Sequence, residues 1–129
     1  MVAVDTNVLV RLLTRDEPAQ ASRAAGLFRS EEIWIGKTVL LETEWVLRSL
    51  YEFTAQQVSQ ALSALAGLPN VRLEDAAAAA QALQWQQRGL DFADALHLAS
   101  KGKAASFASF DAKFAKSARR TWAGEVRLL

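Results

Sequence analysis

The chain contains no cysteine. That excludes a disulfide framework, a cysteine nucleophile, an iron–sulfur cluster and a thiolate zinc site, and it suits a reducing, cytoplasmic setting. Proline occurs only at Pro18 and Pro69, both at expected element boundaries, and no linker is visible. Nowhere do about 18 apolar residues run together, so no membrane-spanning helix is expected. The amino-terminal run MVAVDTNVLVRLL has no basic segment before it and is broken by Asp5. It does not read as a signal peptide. No internal repeat with a period of about 20–50 residues is present. Net charge is also small, +1 from 15 Lys and Arg against 14 Asp and Glu.

What is present is a chain of 129 residues, 51% hydrophobic and 22% charged. This is an ordinary globular balance, and the length suits a single domain over residues 1–129 with a sizeable core. The charge is unevenly spread. Residues 31–75 hold seven acids (Glu31, Glu32, Glu42, Glu44, Glu52, Glu74, Asp75) and three bases (Lys37, Arg48, Arg72). Residues 101–129 hold seven bases (Lys101, Lys103, Lys113, Lys116, Arg119, Arg120, Arg127) and two acids (Asp111, Glu125). A basic region of this kind can meet phosphates, or it can be a solvated face.

Hydrophobic periodicity predicts alternating strands and helices. Val2–Val4, Ile33–Ile35, Val71–Leu73, Ala105–Ser109 and Val126–Leu128 read as short strands. Between them lie helical stretches. Val8–Leu13 comes first, then a helix from Pro18 to about Arg29 with Asp16 or Glu17 as cap. Thr38 is expected to cap a helix through Leu50 with Val39, Val46, Leu47 and Leu50 on one face. Thr54-Ala-Gln-Gln57 is a capping box opening a helix to about Ala66, which Gly67 and Pro69 stop. Residues 75–87 form another helix, ended near Gly89. Asp91 caps one through about Ser100, and Asp111–Ala118 is short. Strands separated by helices imply an α/β fold with a central parallel sheet and helices on both faces.

Ligands of such sheets bind beyond the carboxyl ends of the strands, and acids occupy those positions. Asp5 ends the first strand and Asp111 follows the fourth. Asp91 and Asp94 open a helix, and Glu42 lies one turn past Thr38. Aspartate is also a favoured N-cap, so Asp5, Asp91 and Asp111 taken singly have a capping explanation. Glu42 lies past the usual capping position, and capping accounts for only one of Asp91 and Asp94. Two carboxylates about 5 Å apart repel by roughly 3 kcal/mol at an effective dielectric of about 20. A converging set persists by protonating or by holding a cation, and oxygen-only ligands favour Mg²⁺ or Mn²⁺.

Four ordered motifs then carry a resemblance. They are Val-Asp-Thr-Asn-Val-Leu-Val (4–10), Val-Leu-Leu-Glu-Thr-Glu-Trp-Val-Leu-Arg (39–48), Asp-Phe-Ala-Asp-Ala-Leu-His (91–97) and Ser-Phe-Asp-Ala-Lys-Phe-Ala-Lys (109–116). In order and spacing the chain resembles a PIN-domain ribonuclease and is similar to the VapC-type toxins of type II toxin–antitoxin systems. The resemblance spans nearly the whole chain. It implies an α/β/α sandwich and a Mg²⁺-dependent endoribonuclease, with Mn²⁺ as a substitute. It further implies a homodimer inhibited by a cognate antitoxin, tRNA or rRNA as substrate, and products with a 5′-phosphate and a 3′-hydroxyl.

Carried over residue by residue, the resemblance assigns the metal-binding and catalytic acids to Asp5, Glu42, Asp94 and Asp111. Asp5 and Asp94 are the core ligands. Thr6 and Asn7 orient the site, and Ser109 stands where the family usually has threonine. Glu44 departs from the family, which commonly has an apolar residue there. Glu42 lies two residues nearer the helix start, about 3 Å closer to the strand end, and is the better match. Lys113, Lys116, Arg119 and Arg120 are candidates for RNA contact near the mouth of the site. His97 shares the helical side of Asp94 and is expected to be structural or at a dimer interface. Trp34, Trp45 and Trp85 are expected in the core or an interface, while Trp122, beside Arg119 and Arg120, is a candidate for stacking on RNA.

Rival readings fail on residues. A receiver-type regulatory domain needs a paired acid after the first strand, where Thr6 and Asn7 stand. A haloacid-type phosphatase needs Asp-x-Asp, and position 7 is Asn. A dinucleotide-binding domain needs the motif GxGxxG, which is absent. A catalytically silent PIN fold acting as a binding module is the remaining alternative; retention of all four acids argues against it.

Overall fold

The apolar triplet Ile33-Trp34-Ile35 becomes the middle strand of a sheet in the computed structural model, which describes residues 1–129. The residues group into two compact units, Met1–Ala76 and Ala77–Leu129.

In the first unit, β1 (Val2–Ala3), β2 (Ile33–Ile35) and β3 (Val71–Leu73) form a parallel sheet in the order β1-β2-β3. The register pairs Val2 with Ile33, and Ile33 with Val71. Ile33 and Ile35, two apart and so on one face, are both fully buried. Helices α1 (Thr6–Thr14) and α2 (Pro18–Ser30) connect β1 to β2, and α3 (Lys37–Ser49) and α4 (Ala55–Ala66) connect β2 to β3. Parallel neighbours need crossovers of this kind. The core holds Leu9 and Val10 of α1, Leu47 of α3, and Val58 and Leu62 of α4. The capping box of α4 forms as the sequence predicts. Thr54 Oγ1 accepts from the Gln57 amide at 3.1 Å, and Gln57 Oε1 accepts from the Thr54 amide at 2.8 Å. Pro18 opens α2, and Glu17 is its N-cap position without a side-chain bond.

The start of α3 departs from expectation. Its N-cap is Gly36, and Thr38 lies inside the helix. The orphan amide of Lys37 donates instead to Glu74 Oε1 at 2.9 Å, and Lys37 Nζ pairs with Asp75 at 3.1 Å. Glu74, just past the end of β3, thus takes the role expected of Thr38, because a carboxylate satisfies a helix N-terminus more strongly than a hydroxyl. The buried face also differs. It is Leu40, Thr43, Glu44 and Leu47; Val39 and Val46 are half-buried and Leu50 is exposed. Starting the helix at Lys37 places Leu40 and Leu47 one above the other on the inward side.

The second unit holds α5 from Ala77 on (the helix spans Ala76–Gln87), α6 (Phe92–Ala99), β4 (Ser106–Ser109), α7 (Ala112–Thr121) and β5 (Glu125–Leu128). Strands β4 and β5 are parallel, from Ser106 opposite Glu125 to Ser109 opposite Leu128, and α7 is their crossover. Ala95 and Leu98 of α6, with Ala115 and Ala118 of α7, are fully buried. Phe107 and Phe114 meet edge to face with centroids 5.3 Å apart. The parallel pairing expected of the strands is found in both sets. No helix is long and apolar enough to cross a membrane.

Candidate active site

The first unit carries Asp5, Thr6, Asn7 and Glu42. Asp5 follows β1 in an extended conformation and is the N-cap of α1, with Oδ1 accepting from the Val8 amide at 3.1 Å. The capping explanation for Asp5 is therefore correct as far as it goes. A cap occupies one carboxylate oxygen, fixes the side-chain rotamer, and leaves Oδ2 open. Thr6 is buried, and its hydroxyl donates to Glu42 Oε1. This contact joins the first and second sequence motifs, with Thr6 on α1 and Glu42 on α3. Asn7 is exposed.

The two glutamates of the second motif separate cleanly. Glu42 is exposed and held by Thr6. Glu44 is 1% exposed, and its carboxylate receives Arg48 Nε at 2.9 Å, one turn along α3. A buried carboxylate needs such a partner. Glu44 belongs to the packing of α3, which explains a charge where the resembling family is commonly apolar.

The second unit carries Asp91, Asp94, His97, Ser109 and Asp111. Asp91 caps α6 by accepting from the Asp94 amide at 3.2 Å, as the sequence predicts. Asp111 caps α7, with Oδ1 accepting from the Phe114 amide at 3.0 Å, while its own amide donates to Ser109 Oγ at 3.0 Å. Asp94 caps nothing. Burial pushes its carboxyl above the usual aspartate range, the charges of Asp91 and Asp111 push it the same way, and His97 opposes them. Asp94, His97, Ser109 and Asp111 line one recess of about 230 Å³, with Phe107 and Phe114 behind them. His97 is exposed at this recess rather than packed in a core.

The remaining candidates are placed as follows. Lys113 lies in the first turn of α7 and Lys116 one turn on, both exposed. Arg119 and Arg120 lie in the last turn, roughly 10 Å along the helix from Lys113 and away from its Asp111 end. Arg119 is also engaged, donating to the Val126 carbonyl at 3.1 Å. Trp122 is half-buried, with Lys101 Nζ 5.0 Å from its ring centroid and Gly124 directly against the ring. Lys101 and Gly124 thus occupy part of the ring, and the rest of it stays open to solvent. Trp85 is buried as expected, whereas Trp45 is 52% exposed on α3. The aromatic exposed beside the candidate acids is Phe110, 83% exposed between Ser109 and Asp111. Composition could not single it out, because exposure at a strand end depends on what packs there.

Within neither unit do three or more Asp, Glu or His side chains stand grouped closely enough to hold a metal ion. The donor chemistry still fits a hard divalent cation. The candidate acids offer carboxylate oxygens, and Asp94 bears like charges that a cation would offset. A search among curated proteins returns no match. The PIN domain family model matches residues 2–120. Nearly the whole chain, with its parallel strands joined by helices and its acids following β1 and β4, is covered by that match: the chain belongs to the PIN domain family, whose α/β fold is of nuclease type.

Proposed function

We propose that the protein is a Mg²⁺-dependent endoribonuclease, with Mn²⁺ able to substitute, and the toxin of a VapC-type toxin–antitoxin pair. The observation that carries the enzymatic reading is Asp94. It is a carboxylate without a capping role, raised by burial and by Asp91 and Asp111, in a recess it shares with Asp111. A carboxyl shifted by burial and by neighbouring charge in a cleft is a candidate for chemistry. In this reading the chain is one domain over residues 1–129, and the proposed metal-binding carboxylates are Asp5, Glu42, Asp94 and Asp111. When bound, a divalent cation acidifies a water and withdraws charge from the non-bridging oxygens of a phosphodiester.

The chain's own residues prepare that chemistry. Thr6 fixes one oxygen of Glu42 by its hydroxyl. Helix capping fixes Asp5 and Asp111 by one oxygen each, leaving the other for a ligand. Ser109 holds the backbone turn that presents Asp111. The homodimer, the antitoxin, the cytoplasmic setting and the choice of tRNA or rRNA rest on the resemblance to VapC-type toxins. The silent binding module remains the second reading.

Incubation of purified protein with total RNA tests this directly. Cleavage is expected with Mg²⁺ or Mn²⁺ and not with EDTA, and zinc is not required. Asp5→Asn and Asp94→Asn abolish it, since each removes a charged ligand while keeping shape. Glu42→Gln costs more activity than Glu44→Gln. Full activity in chelator removes the metal-dependent reading, and absence of cleavage under every divalent condition favours the silent module.

A further inference from the structure

Asp5 also lines a second cavity, the groove between α1 and α2, of about 450 Å³. Apart from Asp5 and Asn7, none of the residues lining it has a place in the candidate active site. Its apolar lining comes from Val8, Ala24 and Leu27, and its polar lining from the exposed side chains of Asn7, Gln20 and Arg23. Gln20 is already oriented, since its Oε1 accepts from Arg11 Nε at 2.7 Å and its amide N–H groups remain as donors. Arg11 itself is held by Asp16 at 3.3 Å and by the Tyr51 hydroxyl at 3.1 Å. Arg23 enters no salt bridge or side-chain hydrogen bond. An unpaired guanidinium, two side-chain amides and an apolar surface in one groove beside a candidate catalytic carboxylate make an uncommon combination. A nucleotide needs each of them: a cation for phosphate, amide groups for the edge of a base, and apolar atoms for its face.

We propose that this groove receives the nucleotide next to the scissile phosphate of an RNA substrate. Its base lies against Val8, Ala24 and Leu27, its edge is met by Asn7 and Gln20, and its phosphate pairs with Arg23. The proposal rests on the endoribonuclease reading and adds to it a source of sequence preference. A strand brought to Asp5 must lay a neighbouring nucleotide close by, and Asp5 is itself part of the groove wall. Charge also favours RNA over a protein segment as occupant, because the one unpaired charge lining the groove, apart from Asp5 itself, is positive.

The test uses synthetic RNAs built around a mapped cut, with each of the four nucleotides or an abasic residue at the flanking position. They are cleaved by wild-type protein, Arg23→Ala and Gln20→Ala, with thermal melts to confirm that the variants fold. Arg23→Ala is expected to raise KM about tenfold while kcat stays within about twofold, the signature of weakened substrate binding. The salt dependence of RNA affinity, read in Ca²⁺, should flatten by a slope of roughly 0.7. Gln20→Ala should narrow the spread of kcat/KM among the four nucleotides, and wild-type protein should cut the abasic RNA least well. RNA neither bound nor cut by wild-type protein overturns the nuclease reading and this proposal with it. RNA cut by all three proteins with the same KM, salt slope and nucleotide preference overturns the groove assignment alone and gives the groove to another occupant, such as a protein segment.

Discussion

Two aspartates have carboxyls displaced in opposite directions. Asp16 accepts from Tyr51 and from Thr14, and with the attraction of Arg11 these hold its carboxyl below the ordinary value of 3.8, against a small effect of burial. Asp94 is raised above the same value by burial and by the charges of Asp91 and Asp111. The signs of the stability effects follow. Asp16, lowered on folding, contributes stability that is present above its unfolded value and lost as pH falls through its folded value. Asp94, raised on folding, favours the fold below its unfolded value and loses that contribution as pH rises through its folded value. In chelator at neutral pH, Asp94→Asn should melt higher than wild-type protein and Asp16→Asn lower. The Asp94→Asn difference should shrink as pH falls through the raised folded value towards 3.8, and the Asp16→Asn difference only as pH falls below 3.8. Thermal melts across that range check it, and an Asp94→Asn protein that melts lower at neutral pH would show that Asp94 has a partner holding its charge.

At the scale of elements, helix ends decide most of what the site can do. Asp5, Asp91 and Asp111 are all N-caps with observed bonds, so Asn at these positions keeps the cap while Ala loses it, at about 0.5–2 kcal/mol. The opposite end of α5 depends on backbone freedom. Gly89 takes a φ of 100°, and the amide of Leu90 folds back onto the Trp85 carbonyl at 3.2 Å. Nothing lies within 4 Å of a Cβ placed on Gly89, so a substitution there meets conformational strain and no clash. Gly89→Ala should lower stability by about 1 kcal/mol in denaturant titrations. A neutral result would show that the turn before Asp91 can be made another way.

At the scale of the whole molecule the opposing charge runs are the main feature, since net charge is only +1. The basic carboxy-terminal quarter includes α7, whose Lys113, Lys116 and Arg120 are exposed. Arg119 also ties α7 to the Val126 carbonyl of β5, so its removal would mix RNA affinity with stability. Joint replacement of Lys113, Lys116 and Arg120 by Ala should therefore weaken RNA binding in Ca²⁺. The salt slope should fall by roughly 0.7 for each phosphate that these side chains no longer neutralise. An unchanged slope assigns these side chains to a solvated face.

The sequence alone determined the elements, because their signals are local. The triplet 33–35 reads as a strand by its apolar run, Thr54 and Gln57 cap one another across three residues, and Asp91 and Asp111 precede helices they then cap. It determined the family as well, since four motifs survive in order over most of the chain. The tertiary structure decided what depends on residues far apart. Thr38 yields its capping role to Glu74, which comes 36 residues later and reaches α3 only through the pairing of β2 with β3. Glu42 and Glu44 are alike in type and lie two positions apart; position along the helix favours Glu42 in the sequence, but the burial of Glu44 and the bond from the distant Thr6 to Glu42 come from the fold. The inward face of α3 differs from the periodic one because a helix that starts two residues earlier, on a cap supplied from elsewhere, presents a different set of side chains to the core. Periodicity reads the pattern of a helix, but its phase against the rest of the protein is set by the surfaces that bury it.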